Sequence, residues 1–217
     1  MELAGKKIAF LGDSITEGAG VAQKENIYWN RLAQMSGAEC YGYGIGGTRI
    51  AKQRNPSPNA IYERYFVSRV DEMIPDADIV VVFGGTNDFG HGDAPIGHME
   101  DRTADTFYGG LHELYRTLFE KYPEAQLVVM TPTHRSSENN LLNDWNLRTL
   151  APLSRYVEII REVAEYYAIP VLDLFKVSGI QPAIPVLKEK YMPDGLHPND
   201  AGHAKLAEKL YGFLKTL

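Results

Sequence analysis

A serine stands in Gly12-Asp13-Ser14-Ile15, directly after the basic pair Lys6-Lys7 and the apolar run Ile8 to Leu11. Near the other end of the chain, Asp194-Gly195-Leu196-His197 puts a carboxylate three residues before an imidazole on a glycine-containing turn. At that spacing the carboxylate can hold imidazole Nδ1 and leave Nε2 free as a base, which is what a serine nucleophile requires. Two more clusters join these, the glycine-rich Gly44-Ile45-Gly46-Gly47-Thr48 and the polar Gly85-Thr86-Asn87-Asp88. Any one of the four reads as an ordinary turn, because Asp and Ser side chains bond nearby backbone. All four in one chain make coincidence a poor explanation.

These clusters need elements to carry them. Ile8 to Leu11 stops abruptly at Gly12 and reads as a buried strand running into a turn. Ala38 to Tyr43 predicts a second strand, Asp78 to Phe83 a third, Leu127 to Met130 a fourth and Val171 to Leu174 a fifth. Helical spacing of apolar residues predicts helices over Tyr28 to Met35, Ile61 to Ile74, Thr106 to Tyr122 and Leu153 to Tyr167. A last helix, capped by Asn199, turns Ala204, Leu206, Ala207, Leu210 and Phe213 toward the core. Two long connections remain, Phe89 to Asp105 and Thr133 to Asn146, of the kind that usually shapes a site. Strands alternating with helices predict an α/β fold, a three-layer α/β/α sandwich with a five-stranded parallel sheet, in one domain over residues 1–217. Ligands bind beyond the carboxyl ends of such strands, which is where three of the four clusters fall.

Composition narrows the partners. A chain of 217 residues can bury roughly 70 to 75% of its unfolded surface. No run approaches the ~20 apolar residues that span a bilayer, so membrane insertion is not expected. A formal net charge of −6 without a clustered Lys/Arg run removes the footprint of a nucleic-acid binder and points to a small-molecule partner. The single cysteine, Cys40, agrees with a reducing compartment, and Ile8 to Leu11 is too short for a signal-peptide core of ~7 to 15 residues. A cytoplasmic location is the expectation.

In this order and over nearly the full length, the four clusters resemble the blocks of the SGNH or GDSL-type esterases and lipases. That resemblance implies a flavodoxin-like SGNH hydrolase fold. It makes Ser14 the nucleophile, His197 the general base and Asp194 its orienting partner. It further implies an oxyanion hole built from the backbone N–H of Ser14, the N–H of Gly47 and the side chain of Asn87. The doubled Gly46-Gly47 leaves Gly46 as the alternative donor, and Gly42 stands where the family often has Asn. The implied reaction is two-step acyl transfer without metal or organic cofactor, on short-chain or acetylated-carbohydrate esters. A thioesterase or lysophospholipase-like enzyme is the alternative within the family, and a catalytically silent binding module the alternative outside enzymes.

Other patterns carry less. Gly42-x-Gly44-x-x-Gly47 matches a dinucleotide fingerprint, yet Arg49 to Pro58 is polar and broken by prolines where a helix should open. His91, Asp93 and His98 lie in a Gly/Pro-rich stretch without metal-ligand spacing and read as solvated loop residues. His134 and Arg135, just after the fourth strand, and Trp145 in the second long connection are candidate substrate contacts.

Overall fold

Ile8-Ala9-Phe10-Leu11 and Ile79-Val80-Val81-Val82-Phe83 are apolar at every position, so strands made from them must be covered on both faces. The computed structural model, which describes residues 1–142, 144 and 148–217, meets that demand. Five strands, β1 (Lys7–Gly12), β2 (Glu39–Gly44), β3 (Ile79–Phe83), β4 (Gln126–Met130) and β5 (Val171–Leu172), pair in parallel in the order β2-β1-β3-β4-β5. Eight helices are described: α1 (Ser14–Glu17), α2 (Tyr28–Ser36), α3 (Thr86–His91), α4 (Phe107–Lys121), α5 (Leu153–Tyr166), α6 (Leu174–Val177), α7 (Pro185–Tyr191) and α8 (Asp200–Leu214).

Alternate strand residues feed two cores. Ile8, Phe10, Ile79 and Val81 pack with Leu32 of α2 and Leu206, Ala207 and Leu210 of α8. Ala9, Leu11, Val80 and Val82 pack with Leu111 and Leu114 of α4 and Ile159 and Ile160 of α5. Each Val, Leu, Ile or Phe side chain among these, once fully buried, contributes about 1.5–3 kcal/mol, so the sheet is the rigid part on which loops can be carried. Among the described residues, no helix is long and apolar enough to cross a membrane.

The register sets the level of the chemistry. Gly12 at the end of β1 lies opposite both Gly44 of β2 and Phe83 of β3. The segments after these three strands therefore leave the sheet on one rim. Winding reverses between β1 and β3, and the crevice at such a switch point is where open α/β sheets bind ligands.

Several boundaries differ from the sequence reading, each for a local reason. The stretch expected as one helix over Ile61 to Ile74 forms two 3-10 segments, Ala60–Glu63 and Phe66–Glu72. The i+4 bonds of a continuous α-helix are diverted: Arg64 O accepts Arg69 Nε while the Ser68 N–H turns to Tyr65 O, and the Ile74 N–H donates to the Tyr43 hydroxyl while Val70 O accepts Met73 N–H and Lys121 Nζ. The fifth strand ends at Leu172, because Asp173 turns to cap α6 through Lys176 N and accepts the Thr131 hydroxyl. The connection expected from Phe89 opens as helix α3, hidden in the sequence by its Gly and His. On α8, Leu214 is buried at the end, whereas Phe213 is only partly so.

Glycine is required where β2 meets the nucleophile helix. A Cβ on Gly44 would fall on the backbone N of Glu17 and the carbonyl carbon of Thr16, atoms that cannot rotate away. We expect Gly44→Ala to lose about 1–3 kcal/mol of stability through this overlap, read by urea denaturation. An unchanged unfolding midpoint would show that α1 does not rest on β2.

Candidate active site

Ser14 owes its place to the turn before it. Asp13 caps α1, its Oδ1 accepting the Ile15 N–H at 3.0 Å, and α1 stops after four residues at Gly18 with φ +106°. The Ser14 N–H is thereby at a first helical position, where no intrahelical acceptor exists.

The imidazole comes from the loop before α8. Asn199 caps α8 by accepting the N–H groups of Ala201 and Gly202, which fixes the chain direction just after His197-Pro198. Gly20 supports the same loop from below, since a Cβ there would strike Pro198 O. Ser14 Oγ lies 3.1 Å from His197 Nε2, and His197 Nδ1 lies 2.7 Å from Asp194 Oδ2. The other carboxylate oxygen, Asp194 Oδ1, accepts the N–H groups of Leu196 and His197 at 2.8 and 2.7 Å. Burial pushes the Asp194 carboxyl up, but these two N–H groups and the imidazole outweigh it and hold its pKa below the ordinary value. An ionised Asp194 makes Nδ1 the donor of a neutral ring, leaving Nε2 to accept from the serine hydroxyl.

Ser14, Gly46, Gly47, Asn87 and His197 all line one cavity of about 560 Å³. The two glycines are distinguished by their partners. Gly46 N–H donates to Glu17 Oε2 at 2.8 Å, while the N–H of Gly47, whose φ is +74°, has no acceptor among the described residues. Tyr62 covers Gly47, so closely that a Cβ on the glycine would enter the ring. Asn87 is 4% exposed and donates from Nδ2 to Thr48 O at 3.0 Å, which leaves its second amide hydrogen for the cavity.

Neither His134 nor Arg135 lines this cavity. His134 Nδ1 pairs with Glu138 Oε2 at 2.7 Å and its ring lies on Phe175. Arg135 is buried behind the wall, donating to Thr86 O and to Asp144 Oδ1. Arg135 thus braces Asp144 against the start of α3 from behind the cavity wall. Trp145 lies outside the described residues. His91, read from sequence as a solvated loop residue, is buried on α3 and lines the cavity. It stands four residues after Asn87, hence on the same helical face, a signal that became usable only once α3 was recognised. Glu17, three residues after Ser14, was missed likewise, as were Asn59, Tyr62 and Asp144. Among the described residues, no group of three His, Cys, Asp or Glu side chains could hold a metal ion.

Residues 10–205 match the model of the GDSL-like Lipase/Acylhydrolase family, and the chain belongs to that family. An acetylxylan esterase of Xylanibacter ruminicola is 22% identical over 221 residues, 96% of this chain and 43% of that protein. The chain thus spans less than half the length of that relative. A GDSL lipase of Mycobacterium tuberculosis is 26% identical over 212 residues, 94% of this chain and 79% of that one. Among solved structures, a protein from Lactobacillus plantarum has a TM-score of 0.82 and 32% identity, covering 99% of this chain and 98% of its own.

Near the site, two buried carboxylic acids and two buried histidines have shifted pKa values. Burial, opposed by hydrogen bonds and nearby charges, pushes Asp13 and Asp88 up from 3.8 to about 6. Burial pushes His91 and His203 down from 6.5 to about 4, with the Arg49 guanidinium adding to the effect at His91. Between pH 4 and 6 the folded carboxylic acids keep protons that the unfolded chain has released, so their part of the stability falls as pH rises. The histidines do the reverse over pH 4 to 6.5, since there the unfolded chain holds the extra protons. The carboxylic acids and the histidines thus act in opposite directions over this range. Removing one histidine by His203→Gln should therefore tilt the balance, favouring the variant on acidification by up to about 1.4 kcal/mol per pH unit relative to wild type. Urea denaturation of both proteins at about pH 4.5, 5.5 and 6.5 reads this directly, and parallel stability curves would contradict it.

Proposed function

We propose that the protein is a serine carboxylic-ester hydrolase acting on short acyl esters of uncharged alcohols, with acetylated carbohydrates the favoured class. The observation that carries the reading is the Ser14–His197–Asp194 chain of contacts at 3.1 and 2.7 Å, opening into the cavity that Gly47 and Asn87 also line. His197 Nε2 takes the proton of Ser14 Oγ as the oxygen attacks the ester carbonyl. The N–H groups of Ser14 and Gly47 and the Asn87 amide receive the oxyanion. His197 then returns the proton to the departing alcohol oxygen, leaving an acyl-serine. Water, deprotonated by the same Nε2, releases the acid and restores the hydroxyl. Every step uses groups of the chain and water.

Substrate class follows from the walls. Glu17, Asn59, Tyr62, His91 and Asp144 offer hydrogen-bonding groups to an alcohol rich in hydroxyls. Among the described residues the lining holds two carboxylates and neither Lys nor Arg, which leaves the phosphates of an acyl-CoA or a lysophospholipid without counter-charge. The apolar lining, Ala19, Ile45, Ile61 and Leu196, is short of what a long acyl chain would need. The acetylxylan esterase relative points the same way.

The test is hydrolysis of p-nitrophenyl acetate, butyrate and octanoate and of acetylated xylo-oligosaccharides, with acetyl-CoA as the thioester arm. Activity should be greatest on acetyl oxygen esters and vanish in Ser14→Ala. Asn87→Ala should retain its fold and lose about 10²- to 10³-fold in kcat. Wild-type turnover no faster than that of Ser14→Ala on every ester would sink the reading, and a preference for acetyl-CoA would overturn the substrate class.

A further inference from the structure

The oxyanion donors assigned above come from three separate pieces of chain, so something must hold them in register. Ser14 follows β1, Gly47 follows β2 and Asn87 follows β3. A misplacement of about 1 Å in such a constellation can cost 10²-fold in rate. The loop bearing Gly47 is the one most in need of support, because neither a helix nor a strand contains it.

Asp88 supplies that support. Its two carboxylate oxygens divide between consecutive N–H groups of the loop, Oδ2 accepting from Ile50 at 3.0 Å and Oδ1 from Ala51 at 2.9 Å. Its neighbour Asn87 donates to Thr48 O of the same loop. Three hydrogen bonds thus clamp the segment just after Gly47 to the helix that carries Asn87. Asp88 itself is 4% exposed and does not line the cavity, so it reaches substrate only through others. Stability alone gives little reason for it. Burial works against its ionised form, as the pKa near 6 records, whereas an apolar side chain at a loop base would carry no such penalty. Buried charges that work against stability gather where a site must be held in one geometry.

We propose that Asp88 is a positioning residue for ester hydrolysis, setting the Gly47 N–H and the Asn87 amide at the spacing the oxyanion requires. The proposal rests on the reading of Gly47 and Asn87 as oxyanion donors. Asn at this position would keep one acceptor oxygen and set an amide NH2 against the other backbone N–H, releasing one side of the clamp.

The experiment is steady-state hydrolysis of p-nitrophenyl acetate by wild type, Asp88→Asn, Asn87→Ala and the double variant, with folding followed by circular dichroism. Asp88→Asn is expected to lower kcat by about 10- to 100-fold with KM changed less than about threefold, because the defect is felt at the transition state. In the Asn87→Ala background the same substitution should cost well under half as much on a logarithmic scale, since the two act as one unit. Loss in Asn87→Ala with unchanged kcat in Asp88→Asn would overturn the role of Asp88 alone. So would a change confined to KM, or the same factor in both backgrounds. Unchanged kcat in Asn87→Ala would overturn the donor assignment and this proposal with it. If Asp88→Asn fails to fold, Asp88→Ser, which keeps a smaller acceptor, is measured by the same criteria.

Discussion

The rim of the sheet is held by a guanidinium buried beneath it. Arg69 is 1% exposed and donates to Tyr43 O at 2.7 Å, Gly12 O at 3.0 Å and Thr48 Oγ1 at 3.1 Å, while its Nε reaches Arg64 O. It also lies over the Phe66 ring. Taking a cation out of water costs several kcal/mol, and burial accordingly pushes its pKa down to about 10. Hydrogen bonds to four acceptors offset that cost only while the ends of β1 and β2 and the following loop stay where they are. The penalty is thus a source of rigidity, because any displacement of these segments would leave a charge buried without partners.

Seen from the rim, two buried charges of opposite sign work on the same loop. Arg69 reaches it from the side of β2 and Asp88 from the side of β3. Arg49, a third buried charge, donates to Ser57 Oγ and Tyr62 O and so draws residues 57–63 over Gly47. The apolar cores place the strands, but they are indifferent to shifts of a few tenths of an ångström in the loops above. Directional bonds to desolvated charges are not.

This division explains what could be read from the chain alone. The continuous apolar runs at Ile8 to Leu11 and Ile79 to Phe83 announce strands buried on both faces, and Asn199 announces the start of α8. Ser14, Asn87 and the Asp194-to-His197 turn were legible because each chemical group sits beside its local turn signal. Arg69, Asp88 and Arg49 were not, since a hydrophobic pattern assigns a charged residue to the surface and only tertiary structure reveals its partners. His91 and Glu17 were hidden by short helices, whose few residues give periodicity too little length to register. What distinguishes Gly46 from Gly47 is the Glu17 carboxylate, which is 29 residues away from Gly46 in sequence and so invisible to a local reading.

The cavity is assembled from two kinds of material. The groups assigned to the proposed acyl transfer stand just past the ends of β1, β2 and β3 or in the turn before α8, whereas Asn59, Ile61, Tyr62 and Asp144 come from the long connections between β2 and β3 and between β4 and α5. Arg135, inside the protein, is one tie between the Asp144 segment and the body of the fold, beside the Asp144 N–H to Gly90 O. Under the proposed function, selection can rewrite the half of the cavity assigned to the alcohol by exchanging loops, leaving the half assigned to acyl transfer untouched. In a fold built this way, one inherited reaction can be retargeted from one alcohol to another without being reinvented.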